Sequence, residues 1–141
     1  MWNTLKSEKM ENFTVKELTR GVAAEAKKIE NTPTREAEAN LTALINKVLD
    51  PLRRAYGNPI TVTSGYRSPK LNASVGGVKT SQHQKGQAAD ITAGSPEENK
   101  RLFDLARELN LPFCQLIDEK KYKWVHISYD KNNVKRQVLH L

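Results

Sequence analysis

A chain of 141 residues with 38% hydrophobic and 28% charged residues, a net charge of +7 and one cysteine reads as a single soluble globular domain. Cys114 alone excludes an internal disulfide and a cysteine-rich zinc cluster, and its apolar surroundings (Leu111 to Ile117) read as those of a buried structural thiol. No apolar stretch approaches the ~18 residues that span a membrane, and the positive charge is too dispersed to mark a nucleic-acid-reading element, with short clusters at Lys27-Lys28, Arg53-Arg54 and Lys120-Lys121.

The domain is expected to fill residues 1–141, with 1–12 as a flexible N-terminal segment that lacks the apolar core of a secretory signal. Thr14-Val15-Lys16-Glu17 fits a capping box that opens a short helix, Gly21 interrupts it, and Ala23 to Ile29 can form a second. After the turn Asn31-Thr32-Pro33, apolar residues at helical spacing (Ala37, Leu41, Leu44, Ile45, Val48, Leu49, Leu52) predict the main core helix. Pro51 is expected to kink it or end it near Asp50, and Gly57 and Pro59 close the unit.

Ile60 to Thr63 alternates as a strand does. Ser64 to Gly86 reads as one long, glycine-punctuated loop of the kind that carries function or is disordered. Ala88 to Thr92 returns as a strand. Ser95-Pro96-Glu97-Glu98 then starts a helix whose buried face is Leu102, Phe103, Leu105, Ala106 and Leu109. Strands at Cys114 to Ile117, Lys123 to Ser128 and Val134 to Leu139 finish an α+β fold, with N-terminal helices on a small, mostly antiparallel sheet.

Two of the three histidines, His83 and His126, together with Asp90, offer two nitrogens and one oxygen, the donor set of a catalytic zinc that keeps one position for water. Side-chain alternation puts His126 opposite Val125 and Ile127, and Asp90 opposite Ala89 and Ile91, so both leave the core face. Gly86 gives the chain freedom to bring His83 back toward Asp90. The alternatives are a hydrogen-bonded or surface histidine and an aspartate capping a turn. His140 shows no evident partner, and Trp124 reads as core packing before cleft wall.

The run Ser81-x-His83-x-x-Gly86-x-Ala88-x-Asp90, with Trp124-Val125-His126 downstream, resembles the zinc D-alanyl-D-alanine carboxypeptidase family of the hedgehog/DD-peptidase fold. Val62-Thr63-Ser64-Gly65-Tyr66-Arg67-Ser68-Pro69 and Gln115-Leu116-Ile117-Asp118-Glu119 carry the same likeness, which is nearest to the small peptidoglycan peptidases of phage lysins and bacterial walls. The resemblance implies zinc on His83, Asp90 and His126. It also implies an acidic catalytic base before His126. Many members place that acid where this chain has Lys123, so the matching branch is the one that uses Glu119, with Asp118 as the fallback. Arg67 takes the position that holds a substrate carboxylate or carbonyl. Ser81 and Gln115 are further substrate-side candidates, against a turn serine and a structural hydrogen bond.

The activity so implied is hydrolysis of peptidoglycan stem peptides by a monomer without nucleic-acid partner or membrane insertion. The bond cut is a terminal D-Ala, an L-Ala to D-Glu bond or a cross-bridge. Synthesis without a signal would leave release to a holin or to lysis. The competing reading is an inactive zinc-containing module that binds cell-wall or protein ligands, since fold does not fix function.

Overall fold

The computed structural model describes residues 12–20 and 22–141. The expected break at Gly21 and residues 1–11 of the N-terminal segment lie outside the described residues. Thr14 caps α1 (Val15–Thr19) by accepting a hydrogen bond from the Glu17 amide, as the capping box requires. α2 covers Val22–Lys27. Thr34 likewise caps α3 (Arg35–Leu44) through the Ala37 amide.

The main helix does not end at Asp50. It passes through a π-helical turn, Ile45–Leu49, directly into α4, Asp50–Tyr56, where Pro51 stands in the first turn. A proline in a regular α-helix leaves one carbonyl without its donor and presses its ring on the preceding turn. The π turn, in which the Asp50 amide reaches back to Ile45, widens the spiral just before the proline and absorbs both defects. Gly57, at φ 81°, ends the helix with its amide on the Arg53 carbonyl.

The expected long loop is shorter than its sequence suggests. Between β1 (Thr61–Ser64) and β2 (Ala88–Thr92) it holds α5 (Pro69–Ser74), capped by Ser68, and a 3₁₀ turn, Gln82–Lys85, capped by Ser81. α6 (Pro96–Glu108) starts at the Ser95 cap, and β3 (Gln115–Glu119), β4 (Trp124–Ser128) and β5 (Gln137–His140) follow.

The strands form one sheet in the order β1-β2-β4-β3-β5, antiparallel except for the β3–β5 pair. One parallel pair among three antiparallel ones is the mostly antiparallel sheet expected. Asp130 to Arg136 crosses back over the sheet end, so β5 runs alongside β3 instead of closing a hairpin with β4. Leu41, Leu44, Ile45, Val48, Leu49 and Leu52 of the long helix, with Leu102, Phe103 and Ala106 of α6, bury against Ala89, Ile91, Leu116, Val125 and Ile127 of the sheet. Cys114 is buried as expected. One face of the sheet is thus spent on the core, and the residues alternating with it point the other way. Among the described residues no helix is long and apolar enough to cross a membrane.

Candidate metal centre

The open face carries a row of directly opposed residues: Ser64 against Asp90, Asp90 against His126, His126 against Ile117. Opposed residues share a face, so Asp90 and His126 stand side by side. The sheet brings His126 Nδ1 to 3.1 Å from Asp90 Oδ1.

His83 arrives from outside the sheet, and its turn is held on three sides. The Ser81 hydroxyl accepts from the His83 amide at 3.2 Å, the His83 carbonyl accepts from the Arg67 amide at 3.0 Å, and Asn40 of α3 donates to the Lys85 carbonyl at 2.8 Å. Gly86 ends the turn at φ 73° with its Cα against α3. A β-carbon there would lie 2.4 Å from the Ala37 carbonyl oxygen, so both conformation and space demand glycine. The result places His83 Nε2 3.4 Å from the same Asp90 oxygen, with the two imidazole rings 5.2 Å apart and inclined at 70°.

These three side chains could hold a metal ion, since one donor atom from each lies within 4.8 Å of the others. Their spacing tests the fit. A tetrahedral zinc with ligands at about 2.0–2.1 Å keeps neighbouring donors about 3.3 Å apart, against the observed 3.1 and 3.4 Å. The Gly65 carbonyl lies 2.7 Å from His83 Nδ1. In the neutral ring that contact puts the proton on Nδ1 and leaves the Nε2 lone pair facing Asp90, the arrangement by which second-shell carbonyls orient ligating histidines. Burial pushes the Asp90 carboxyl up. The hydrogen bonds to His126 and His83 outweigh it and hold the group well below the usual carboxylate range. A charged carboxylate and a lone pair fixed in direction are what a divalent ion requires.

Arg67 leaves the end of β1 toward this trio. Burial lowers its guanidinium pKa and the nearby Asp90 charge raises it, so the two groups feel each other. Its Nη2 is 3.5 Å from Ser81 Oγ, while its buried Nε has no hydrogen-bond partner among the described residues. Glu119 pairs with Trp124, two residues from the Ile117–His126 pair, which places it on the open face with His126. Asp118 faces the other way. It is 5% exposed, and its carboxylate is bound to His140 Nδ1 across the β3–β5 pair, so His140 does have a partner. Gln115 also lies on the open face, but its amide is bound to Gln137 of β5 at 2.8 Å, away from the trio. Trp124 is outside the core cluster, on the His126 face, with its indole nitrogen buried and without a partner among the described residues. The role of the Gly65 carbonyl is the feature that sequence reasoning misses. Its only signal is a glycine in the Ser64-Gly65-Tyr66-Arg67 run, and backbone contacts leave no mark on residue type.

A family model described as Peptidase M15 matches residues 11–128, most of the chain and all of the elements that build the trio. The chain belongs to the peptidase M15 family. This M15 member is also 46% identical over 61 residues to the zinc D-Ala-D-Ala carboxypeptidase of Streptomyces albus G, a match that covers 42% of the chain and 24% of that protein. The M15 member thus spans about a quarter of the curated relative it matches. The two imidazoles and one carboxylate are a donor set that suits zinc, the metal in that relative's name.

Proposed function

We propose that this protein is a zinc-dependent peptidase that hydrolyses stem peptides of bacterial peptidoglycan. The observation that carries the reading is the meeting of His83, Asp90 and His126 on the open sheet face of an M15 family member. Zinc bound by these residues would supply a Lewis acid and a water that ionises near neutral pH.

The protein's own groups divide the remaining work. Glu119 accepts the proton of the attacking water and passes it to the leaving amine, a role supported by the register that turns it toward the His126 face. Arg67 receives the substrate carboxylate or carbonyl, because a guanidinium forks onto two oxygens and its Nε has no hydrogen-bond partner among the described residues. Ser81 braces both His83 and Arg67 through its hydroxyl. The net charge of +7 suits approach to an anionic wall. The likeness to small phage-lysin peptidases supports an endolysin-like setting, with a holin or lysis giving access to the wall.

The test is digestion of purified peptidoglycan with and without chelator, followed by mass analysis of the fragments. Chelator-sensitive release of a defined peptide or of D-Ala is expected, and the fragment separates carboxypeptidase from endopeptidase. No release by protein carrying one zinc per chain would replace the peptidase reading with that of a binding module.

A further inference from the structure

The turn between β3 and β4 is built against local preference. Lys120, Lys121 and Tyr122 follow one another at φ 52°, 57° and 65°, all left-handed and none of them glycine. A β-carbon is crowded against the following carbonyl oxygen in this region, so residues other than glycine avoid it. Such a run persists only where its surroundings hold it. The turn stands directly after Glu119 and is closed by the Lys123 amide on the Glu119 carbonyl at 3.0 Å.

The holding group is Asn99 of α6, which is 0% exposed. Its Nδ2 donates to the Tyr122 carbonyl at 2.9 Å and the Lys123 carbonyl at 3.1 Å. Its Oδ1 accepts from the Ala93 amide at 2.6 Å, one residue past β2. Only an amide side chain can donate to two carbonyls and accept from an N–H at once; a carboxylate would face two oxygens, and an alanine would take this partner from all three groups. The Tyr122 ring is held as well, edge-on to Phe103 with centroids 5.5 Å apart.

We propose that Asn99 is the positioning residue for Glu119. By tying the left-handed turn to the end of β2, the strand that carries Asp90, it fixes where the Glu119 carboxylate stands relative to Asp90 and His126. The inference rests on the reading of Glu119 as proton acceptor. Asn99 touches neither substrate nor metal in this scheme and acts through the turn alone.

The experiment compares Asn99→Ala with Leu102→Ala, which removes a fully buried side chain from the same helix but none of the hydrogen bonds to the turn. Each is assayed for zinc content, thermal midpoint, kcat and KM on a soluble peptidoglycan fragment. Asn99→Ala should keep its zinc and its KM and lose kcat by about tenfold to a hundredfold, the effect of displacing a reacting group by about 1 Å. Leu102→Ala should lose stability and keep kcat. Lys121→Gly, which relieves the left-handed strain, should restore part of the lost kcat when added to Asn99→Ala. If Asn99→Ala does not accumulate folded, Asn99→Ser gives the same readout. Equal kcat in the Asn99 and Leu102 variants, or no recovery with Lys121→Gly, would overturn the proposal. Glu119→Gln in the same assay separates the two ideas. An inactive Glu119→Gln beside a fully active Asn99→Ala sinks the positioning role alone, and an active Glu119→Gln sinks the base and the positioning role together.

Discussion

Gly65 joins the fold to the metal centre, and Gly65→Ala is the sharpest probe of that joint. A β-carbon on Gly65 would lie 2.2 Å from the Leu18 carbonyl oxygen and 2.9 Å from Leu18 C and Cα. These are backbone atoms and cannot swing aside, so α1 and the end of β1 must separate. Overpacking of this kind costs about 1–3 kcal/mol. The Tyr66 amide to Leu18 carbonyl bond, 2.7 Å long, is lost with the close approach and adds about 1 kcal/mol. At about 3–5 °C per kcal/mol for a domain of this size, the midpoint should fall by about 6–20 °C. The same shift moves the carbonyl that orients His83. Loss of an orienting partner costs about 10–100-fold in metal affinity.

The assay is thermal unfolding by circular dichroism beside a zinc titration against a chromophoric chelator. Gly57→Ala is the control. Gly57 has φ +81° with nothing within 4 Å of the added carbon, so its substitution strains the backbone far from the trio. It should lower the midpoint and leave zinc affinity alone. If Gly65→Ala lowers the midpoint yet binds zinc as wild type does, the Gly65 carbonyl does not set the His83 ring. If neither quantity moves, the close approach of α1 to β1 is itself refuted.

Other substitutions divide the two acidic neighbours and the ligands. Glu119→Gln should abolish hydrolysis while one zinc per chain remains; wild-type turnover in that variant would remove Glu119 from the chemistry. Asp118→Asn should leave kcat near wild type and weaken the β3–β5 edge by about 1–3 kcal/mol through the His140 contact, read by denaturant midpoint. A large kcat loss there would mean that the two carboxylates are exchanged in role. His126→Ala should lose stoichiometric zinc, checked by elemental analysis. Zinc at a hundredfold excess over its dissociation constant should stabilise the wild type by about 2.7 kcal/mol, and His126→Ala should gain far less.

How much of this was legible in the chain depended on whether the signal was local. Asp90 and His126 could be read from alternation alone, because Ala89, Ile91, Val125 and Ile127 declare the core face and leave the residues between them on the other. The same alternation separates Glu119 from Asp118. The caps at Thr14 and Ser95 were equally plain, since each is satisfied within its own first turn. Pro51 misled because its remedy, the π turn at Ile45–Leu49, is a backbone adjustment that no residue type announces. The segment from Ser64 to Gly86 looked like a loop because its helical turns are too short to show a period. The place of β5 beside β3 and the partner of His140 depend on how the chain crosses back over the sheet, a long-range choice with no local trace.

The hold on the His83 turn has a consequence for how the protein is made. Asp90 and His126 sit in paired strands, and His83 is clamped by Gly65, Arg67 and the Ala37–Asn40 stretch of α3, in each case through protein groups. In small zinc domains the metal is the keystone, and the empty chain is unfolded. Here the ion is expected to be a tenant: circular dichroism of the chelator-stripped chain should show it folded, able to be recharged without passing through the unfolded state.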